Sequence, residues 1–513
     1  MDTHQGFRKA RMVRYDRWIR NKNLKSIQYQ RKAVEWSLER ELRNETCIRG
    51  GIIADEMGMG KTYMMLGTIM ANPEPGITLL VVPPALLDQW RSIIKQNLSD
   101  KPGFLIVYHG TKAKSIELSQ QAFDILDTRI VLTTYGMMAN RKPRPNQRSY
   151  RSPIWSVQWY RTIYDEAHHM RNRKSNNWLG AKLTRCKIRW LLTGTPIQNY
   201  ATDAYSLRSL INPTRTLADI CLHRDKESVG LKLPPIKTHK IAVTVDSAER
   251  ENEKRLIAQI HAQLPFADIT IDNVDEWIEM FDGKGIFPLL TAARQVCLYP
   301  RLLTDKWIKL IVNGLIDGNV ELPLVNTHAK LDAVVNTINS RDRASQKIIF
   351  THYHGETDRL EALLKQSGHN VGKIDGRTKA KERKNLLNSG DKHFNSLVLN
   401  RLFKGKQCDV RNKIQGYLGT PNILLLQIKS CCEGLNLQSY SEIYFTSPHW
   451  NPAIEDQAVA RAHRIGQKNT VEVFKFITSL PNGALSLDNY CLLIQKCKRE
   501  LMEDLKSKCT IHL

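Results

Sequence analysis

The sequence has no pair of cysteines at the close spacing of a zinc site. Its ten cysteines stand at 47, 186, 221, 297, 408, 431, 432, 491, 497 and 509, which excludes a zinc finger or ribbon. At that density in 513 residues they do not build a disulfide scaffold either, and a reducing compartment is expected. Long apolar runs are also missing. The longest, ITLLVVPPALL from Ile77, is short and broken by prolines, so no bilayer span is expected. The N-terminal MDTHQGFRKARMVR lacks the apolar stretch of a secretory signal. We find no internal repeat and no low-complexity tract, and a soluble protein inside the cell is expected. Acidic residues are scarce: 51 Asp and Glu face 76 Lys and Arg, a formal charge of +25. Such an excess attracts a polyanion, nucleic acid first, with a ribosomal-type or membrane-surface role as the alternative.

What is present is organised as strands and helices in alternation. Short continuous apolar runs recur, each followed by a polar or glycine-containing turn: GIIAD, TLLVVPP, FLIVYHG, RIVLTTY, RTIYDE and RWLLTG. Buried parallel strands have this character, and helical stretches such as 89–96 lie between them. A second series runs through KIIFTHY, VGKID, NILLLQI, EIYFTS and VEVFKFI. The fold class is therefore α/β, two parallel-sheet lobes with a helical insertion between them. The expected division is a basic N-terminal segment (1–24), a first lobe (25–216), a helical insertion (217–325), a second lobe (326–483) and a C-terminal helix (484–513) that packs by its apolar face. Residues 8–25 carry eight basic side chains against the single acid Asp16; a solvated helix face reads as well as a functional one.

Three motifs carry chemistry, and in open α/β sheets such motifs sit beyond the carboxyl ends of strands. After GIIA comes Asp55-Glu56-Met57-Gly58-Met59-Gly60-Lys61-Thr62. Its glycines let backbone N–H groups approach phosphate, Lys61 supplies a cation for the β- and γ-phosphates, and the Thr62 hydroxyl suits Mg²⁺. Asp55 stands where the strict phosphate-loop pattern has its first glycine. The strand RTIYD ends in Asp165-Glu166-Ala167-His168, with Asp165 suited to the Mg²⁺ shell and Glu166 to polarising the attacking water. Far along the chain, Arg461 and Arg464 in QAVARAHRIGQ are one helical turn apart. They read as arginine fingers or as salt-bridged helix arginines.

Together with Tyr29-Gln30, LLVVPPALLDQW, VLTTYG, WLLTGTPIQN, KIDGRT, EGLNL and HWNPAIEDQAVARAHRIGQ, these residues resemble the Snf2-family ATPases of helicase superfamily 2. The resemblance covers about residues 25–480. LPPIKTH and LTAARQVCLYP are similar to the Rad5/Rad16-like branch, here without cysteines for a RING finger, and the compactness resembles forms from large DNA viruses. The resemblance implies RecA-like lobes with ATP and Mg²⁺ between them: Gln30 on adenine, Lys61 and Thr62 on phosphates and metal, Asp165 and Glu166 on metal and water, and Arg461 and Arg464 closing the site. It implies that His168, Thr193, Gly194, Thr195 and Gln198 couple ATP to nucleic acid. Pro83, Thr134 and the loop after Lys429 would touch the phosphate backbone. Two features depart from the family pattern. Ser430-Cys431-Cys432-Glu433 replaces a glycine-rich turn, and a basic insertion occupies about 384–411.

The expected activity is a DNA-stimulated ATPase translocating on double-stranded DNA, in the nucleus or a viral factory. The alternatives are a strand-separating DNA or RNA helicase and a catalytically idle DNA-binding scaffold.

Overall fold

The computed structural model describes residues 2–43, 47–73, 76–140, 152–194, 201–245, 250–261, 287–303, 325, 327–378, 382–383, 385–386, 421–428, 435, 437–480 and 486–509. The chain divides into two compact units, Met1–Lys232 with Leu501–Leu513, and Leu233–Glu500. Each is built on a sheet whose described pairings are all parallel.

In the first unit the strands are β1 (Arg49–Ile53), β2 (Thr78–Val82), β3 (Leu105–Tyr108), β4 (Ile130–Thr134), β5 (Trp159–Asp165), β6 (Cys186–Leu192) and β7 (Cys221–Leu222), in the order β3-β4-β2-β5-β6-β1-β7. Successive residues of one strand enter different cores. Ile53, Leu80, Leu132 and Ile163 join one cluster, and Ile52, Leu79, Val131 and Tyr164 join another. Apolar side chains on both faces are why these strands read as unbroken apolar runs. The register brings Ile53 and Asp165 level with Leu192, and Val82 level with Thr134. The polar residues that follow these strands therefore emerge along one edge of the sheet.

The second unit holds β8 (Ile236–Val243), β9 (Lys347–Thr351), β10 (Val371–Ile374), β11 (Ile423–Gln427), β12 (Glu442–Phe445) and β13 (Val471–Thr478), in the order β10-β11-β9-β12-β13-β8. Ile349, Leu425 and Tyr444 join one core, and Ile348, Leu424 and Ile443 the other.

The stretch 217–325, expected to be a helical insertion, is different in two places. Cys221 and Leu222 pair with β1, and Ile236–Val243 lies along the whole of β13. The second of these is an edge strand with mostly exposed side chains, so it lacks the apolar run by which buried strands are recognised. Helices do follow, at Glu251–His261 and Phe287–Leu298, and their Leu256, Ile257, Ile260 and Val296 belong to a core of the second unit.

At the N-terminus the helix Asp2–Asn21 is more than a solvated segment: Met12, Tyr15, Trp18 and Ile19 are buried in the first unit. In the C-terminal helix Leu487–Cys509, Leu487, Tyr490, Cys491 and Ile494 enter a core of the second unit, whereas Leu493 stays exposed. Among the described residues, no helix is long and apolar enough to cross a membrane.

Candidate active site

Beyond Ile53 the chain turns through residues 54–60 into the helix Lys61–Ala71. Gly58 and Gly60 both take φ +86°, a conformation open to glycine at little cost. A Cβ on Gly60 would lie 2.4 Å from Gln30 Nε2, so a side chain there would displace the Gln30 amide as well as strain the backbone. The loop delivers the chain directly to a helix N-terminus, where unpaired N–H groups and the helix dipole favour an anion. Lys61 Nζ folds back over the loop, donating to the carbonyls of Asp55 at 2.6 Å and Glu56 at 3.3 Å.

The loop is braced from two sides. Gln30 Nε2 and Tyr29 Oη both donate to the Met59 carbonyl, at 2.9 and 3.0 Å. The Gln30 amide, expected on adenine, thus holds the phosphate loop here. On the other side the Asp55 carboxylate is fully buried and takes both its oxygens to Arg224, Nε to Oδ1 at 3.1 Å and Nη2 to Oδ2 at 2.5 Å. Arg224 Nη1 also donates to the Tyr29 carbonyl at 2.8 Å. Asp55, grouped by sequence with the phosphate-binding residues, is thereby a brace, and its carboxylate replaces the first glycine because a buried arginine is there to meet it. Arg224 carries no motif signal; β7 brings it to the loop from 169 positions away.

The acidic pair ends β5. Asp165 Oδ2 accepts from Trp90 Nε1 at 2.7 Å, and Tyr135 Oη donates to the Asp165 carbonyl at 2.8 Å. Burial, then the adjacent Glu166 carboxylate, pushes the Asp165 carboxyl up to about 6, against the opposing pull of Trp90 and Lys61. Glu166 adopts a left-handed conformation, φ +52°, which turns the chain sharply after the strand. Its carboxylate lies 3.4 Å from His168 Nδ1. His168 stacks on His169, centroids 4.7 Å apart, and His169 leans on Tyr135 at 5.1 Å. An aromatic path therefore joins Glu166 to the end of β4.

Of the expected coupling residues, Thr193 is fully buried and donates its N–H to the Ile53 carbonyl at 3.1 Å. A Cβ on Gly194 would lie 3.5 Å from Lys61 Nζ, so the end of β6 abuts the phosphate loop. Thr195 and Gln198 lie outside the described residues. Pro83 and Thr134, expected against a phosphate backbone, are both buried, and the Thr134 hydroxyl is 3.1 Å from His109 Nδ1. His109, half-buried, is the more accessible group of that pair.

Comparison with known proteins matches residues 29–216 to the SNF2-related domain and residues 329–466 to the helicase conserved C-terminal domain. The chain belongs to the Snf2 family of helicase-like ATPases. It is 26% identical over 488 residues to a probable global transactivator of Orgyia pseudotsugata multicapsid polyhedrosis virus, covering 89% of this chain and 87% of that one. To the DNA repair protein RAD5B of Arabidopsis thaliana it is 24% identical, covering 84% of this chain and 44% of the relative. To the ATP-dependent helicase BRM of Arabidopsis thaliana it is 27% identical, with 87% and 20% covered. The chain thus spans most of the viral relative and less than half of these two plant ones. A solved Sulfolobus solfataricus SWI2/SNF2 ATPase core in complex with dsDNA is 21% identical, with 94% and 92% covered and a TM-score of 0.36.

The Snf2-family arginines of the second unit sit on a turn rather than on one helix face. The helix Pro452–Ala460 starts at Asn451, whose side chain accepts from Ala453 N, and ends before Arg461. Residues 461–466 then form turns that close at Gly466, φ +99°. Just past the helix end the Arg461 carbonyl accepts from Leu437 N at 3.1 Å. Arg461 and Arg464 still feel each other: burial first, then the Arg461 charge, lowers the Arg464 guanidinium from its ordinary value. The Gln467 amide organises the turn. Its Nε2 donates to the carbonyls of Gln438, Tyr440 and Ala462 at 3.0, 3.1 and 3.2 Å, and its Oε1 accepts from Lys468 N and Asn469 N. In the sequence Gln467 is only the last letter of a motif, with nothing to mark it as the organiser. The loop after Lys429 and the Cys431-Cys432 turn lie outside the described residues, as does the basic insertion apart from residues 385–386.

Proposed function

We propose that this protein is a DNA-stimulated ATPase that moves along double-stranded DNA. The observation that carries the reading is the pairing of a glycine loop ending in Lys61 with a buried Asp165 and the Glu166 that follows it, on one edge of one sheet. Magnesium triphosphate fits this edge. Burial and the adjacent Glu166 carboxylate raise the Asp165 pKa to about 6, and a divalent cation relieves the repulsion between the two acids. Thr62 and Asp165 would hold the metal, which when bound supplies charge neutralisation across the β- and γ-phosphates.

Lys61 would leave the loop carbonyls for phosphate oxygens, and the N–H groups of Gly58, Met59 and Gly60 would line the triphosphate. Glu166, whose backbone turn directs it beyond the strand, would hold the attacking water in line. A water aligned on phosphorus needs no covalent help from the protein, so positioning and charge carry the rate. Arg461 and Arg464, fixed on their turn by Gln467, would stabilise the charge that develops on the γ-phosphate, worth on the order of 10³ or more in rate. His168 joins Glu166 to the aromatic path toward Thr134 and the half-buried His109, and so would link the state of the water to the groups proposed to meet nucleic acid. The net positive charge supports a phosphate-backbone partner, in the nucleus or a viral factory.

The test is ATP turnover with no nucleic acid, single-stranded DNA, duplex DNA and RNA. The reading predicts the largest stimulation with duplex DNA. Preference for single strands or RNA would assign a strand-separating helicase, and no turnover under any condition would assign an idle scaffold.

A further inference from the structure

We propose that the outer face of the N-terminal helix is a second grip on nucleic acid, a phosphate-backbone contact built from Lys9, Arg14, Arg17 and Arg20. It rests on the reading that this ATPase acts on nucleic acid and adds a site away from the strand ends that carry the ATPase motifs.

The helix Asp2–Asn21 presents two unlike faces. Met12, Tyr15, Trp18 and Ile19 are buried, while Lys9, Arg14, Arg17 and Arg20 are exposed. At about 100° per residue these four fall within an arc of roughly 140°, and the other exposed residues on that arc are Ala10, Val13 and Asn21. Between Lys9 and Asn21 no acidic residue falls on it. The acids nearby are committed elsewhere: Asp16 pairs with Arg31 at 3.0 Å, while Glu35 and Glu39 lie 3.9 and 3.8 Å from Arg8. Arg8, at the inner edge, therefore has carboxylates beside it, and among the described residues the outer four have none. A face kept only for solubility normally mixes both signs; Arg14, Arg17 and Arg20 at successive three-residue steps repel one another. A polyanion removes that repulsion.

The geometry suits a duplex backbone. From Lys9 to Arg20 the helix rises about 16 Å, a length of duplex axis that carries on the order of ten phosphate charges. The face is also held rigidly. Trp18 Nε1 donates to the Asn97 carbonyl at 2.7 Å and Lys22 Nζ to the Gln96 carbonyl at 3.0 Å. Tyr15 presses on Gly67 of the helix that begins at Lys61, so closely that a Cβ there would lie 2.7 Å from its ring. A load on the basic face is thus passed by direct packing to the helix that ends the phosphate loop.

The experiment compares the full chain with a variant carrying Lys9→Gln, Arg14→Gln, Arg17→Gln and Arg20→Gln. A control of equal charge loss carries Lys101→Gln, Lys182→Gln, Arg185→Gln and Lys187→Gln. Duplex DNA affinity is measured by fluorescence anisotropy across a salt series, with thermal unfolding and DNA-free ATP turnover on the same samples. Each phosphate that is no longer neutralised should reduce the slope of log affinity against log salt by about 0.9. The helix variant is expected to lose about 2 to 4 in slope, with unfolding temperature and DNA-free turnover unchanged, while the control keeps the wild-type slope. Equal slopes for wild type and helix variant, or an equal loss in the control, overturn the second grip and leave the ATPase reading standing. A wild-type chain that binds no duplex overturns both.

Discussion

At the residue scale, motif spacing picks out groups that the fold brings to one edge of a sheet, and only the fold tells what each of them touches. Lys61 and Asp165-Glu166 are legible because their chemistry depends on short-range order along the chain: a loop into a helix, a strand into a sharp turn. Glu166→Gln tests the assignment. The amide keeps the size and loses the charge that orients water, so ATP binding should survive while turnover falls about 10²–10⁴-fold. Nucleotide titration beside steady-state turnover reads both, and near-normal turnover would remove Glu166 from its role. Asp55 misleads because position in a motif does not reveal a partner 169 residues away. Its pair with Arg224 is buried on both sides, at 0% and 7% side-chain exposure. Arg224→Ala leaves an unpaired buried carboxylate and should lower unfolding free energy by about 3–5 kcal/mol, measured by urea denaturation. A loss near zero would mean that water reaches Asp55 and the brace is dispensable.

At the scale of elements, buried strands announce themselves and a solvent-exposed edge strand does not. TLLVV and IVLTT are wholly buried and read as strands from composition alone, whereas IKTHKIAV is mostly exposed and gives no such signal. The turn after the arginine helix is held by residues outside that helix, which is why the segment reads as continuous in the sequence. Leu437, far back in the chain, claims the Arg461 carbonyl, and Gln467 then ties the turn to residues 438 and 440. Gln467 is 8% exposed, so Gln467→Ala strands the backbone groups that its amide meets. It should cost about 1–3 kcal/mol of stability and lower turnover although Arg461 and Arg464 are intact. Calorimetric unfolding and turnover on one preparation check this; unchanged turnover would show that the arginines need no such support.

At the scale of the molecule, two series of apolar runs foretell two parallel sheets, and two parallel sheets are what the chain forms. The excess of positive charge foretells a polyanionic partner without locating it. Its placement on one face of the N-terminal helix needs the knowledge of which arginines have carboxylates beside them. The central claim is movement along duplex DNA, and its most direct test is ATP turnover at saturating ends-matched duplexes of increasing length. A translocating ATPase completes more cycles per encounter on a longer track, so turnover should rise with length and then level off. Turnover stimulated equally by the shortest and longest duplexes would contradict translocation.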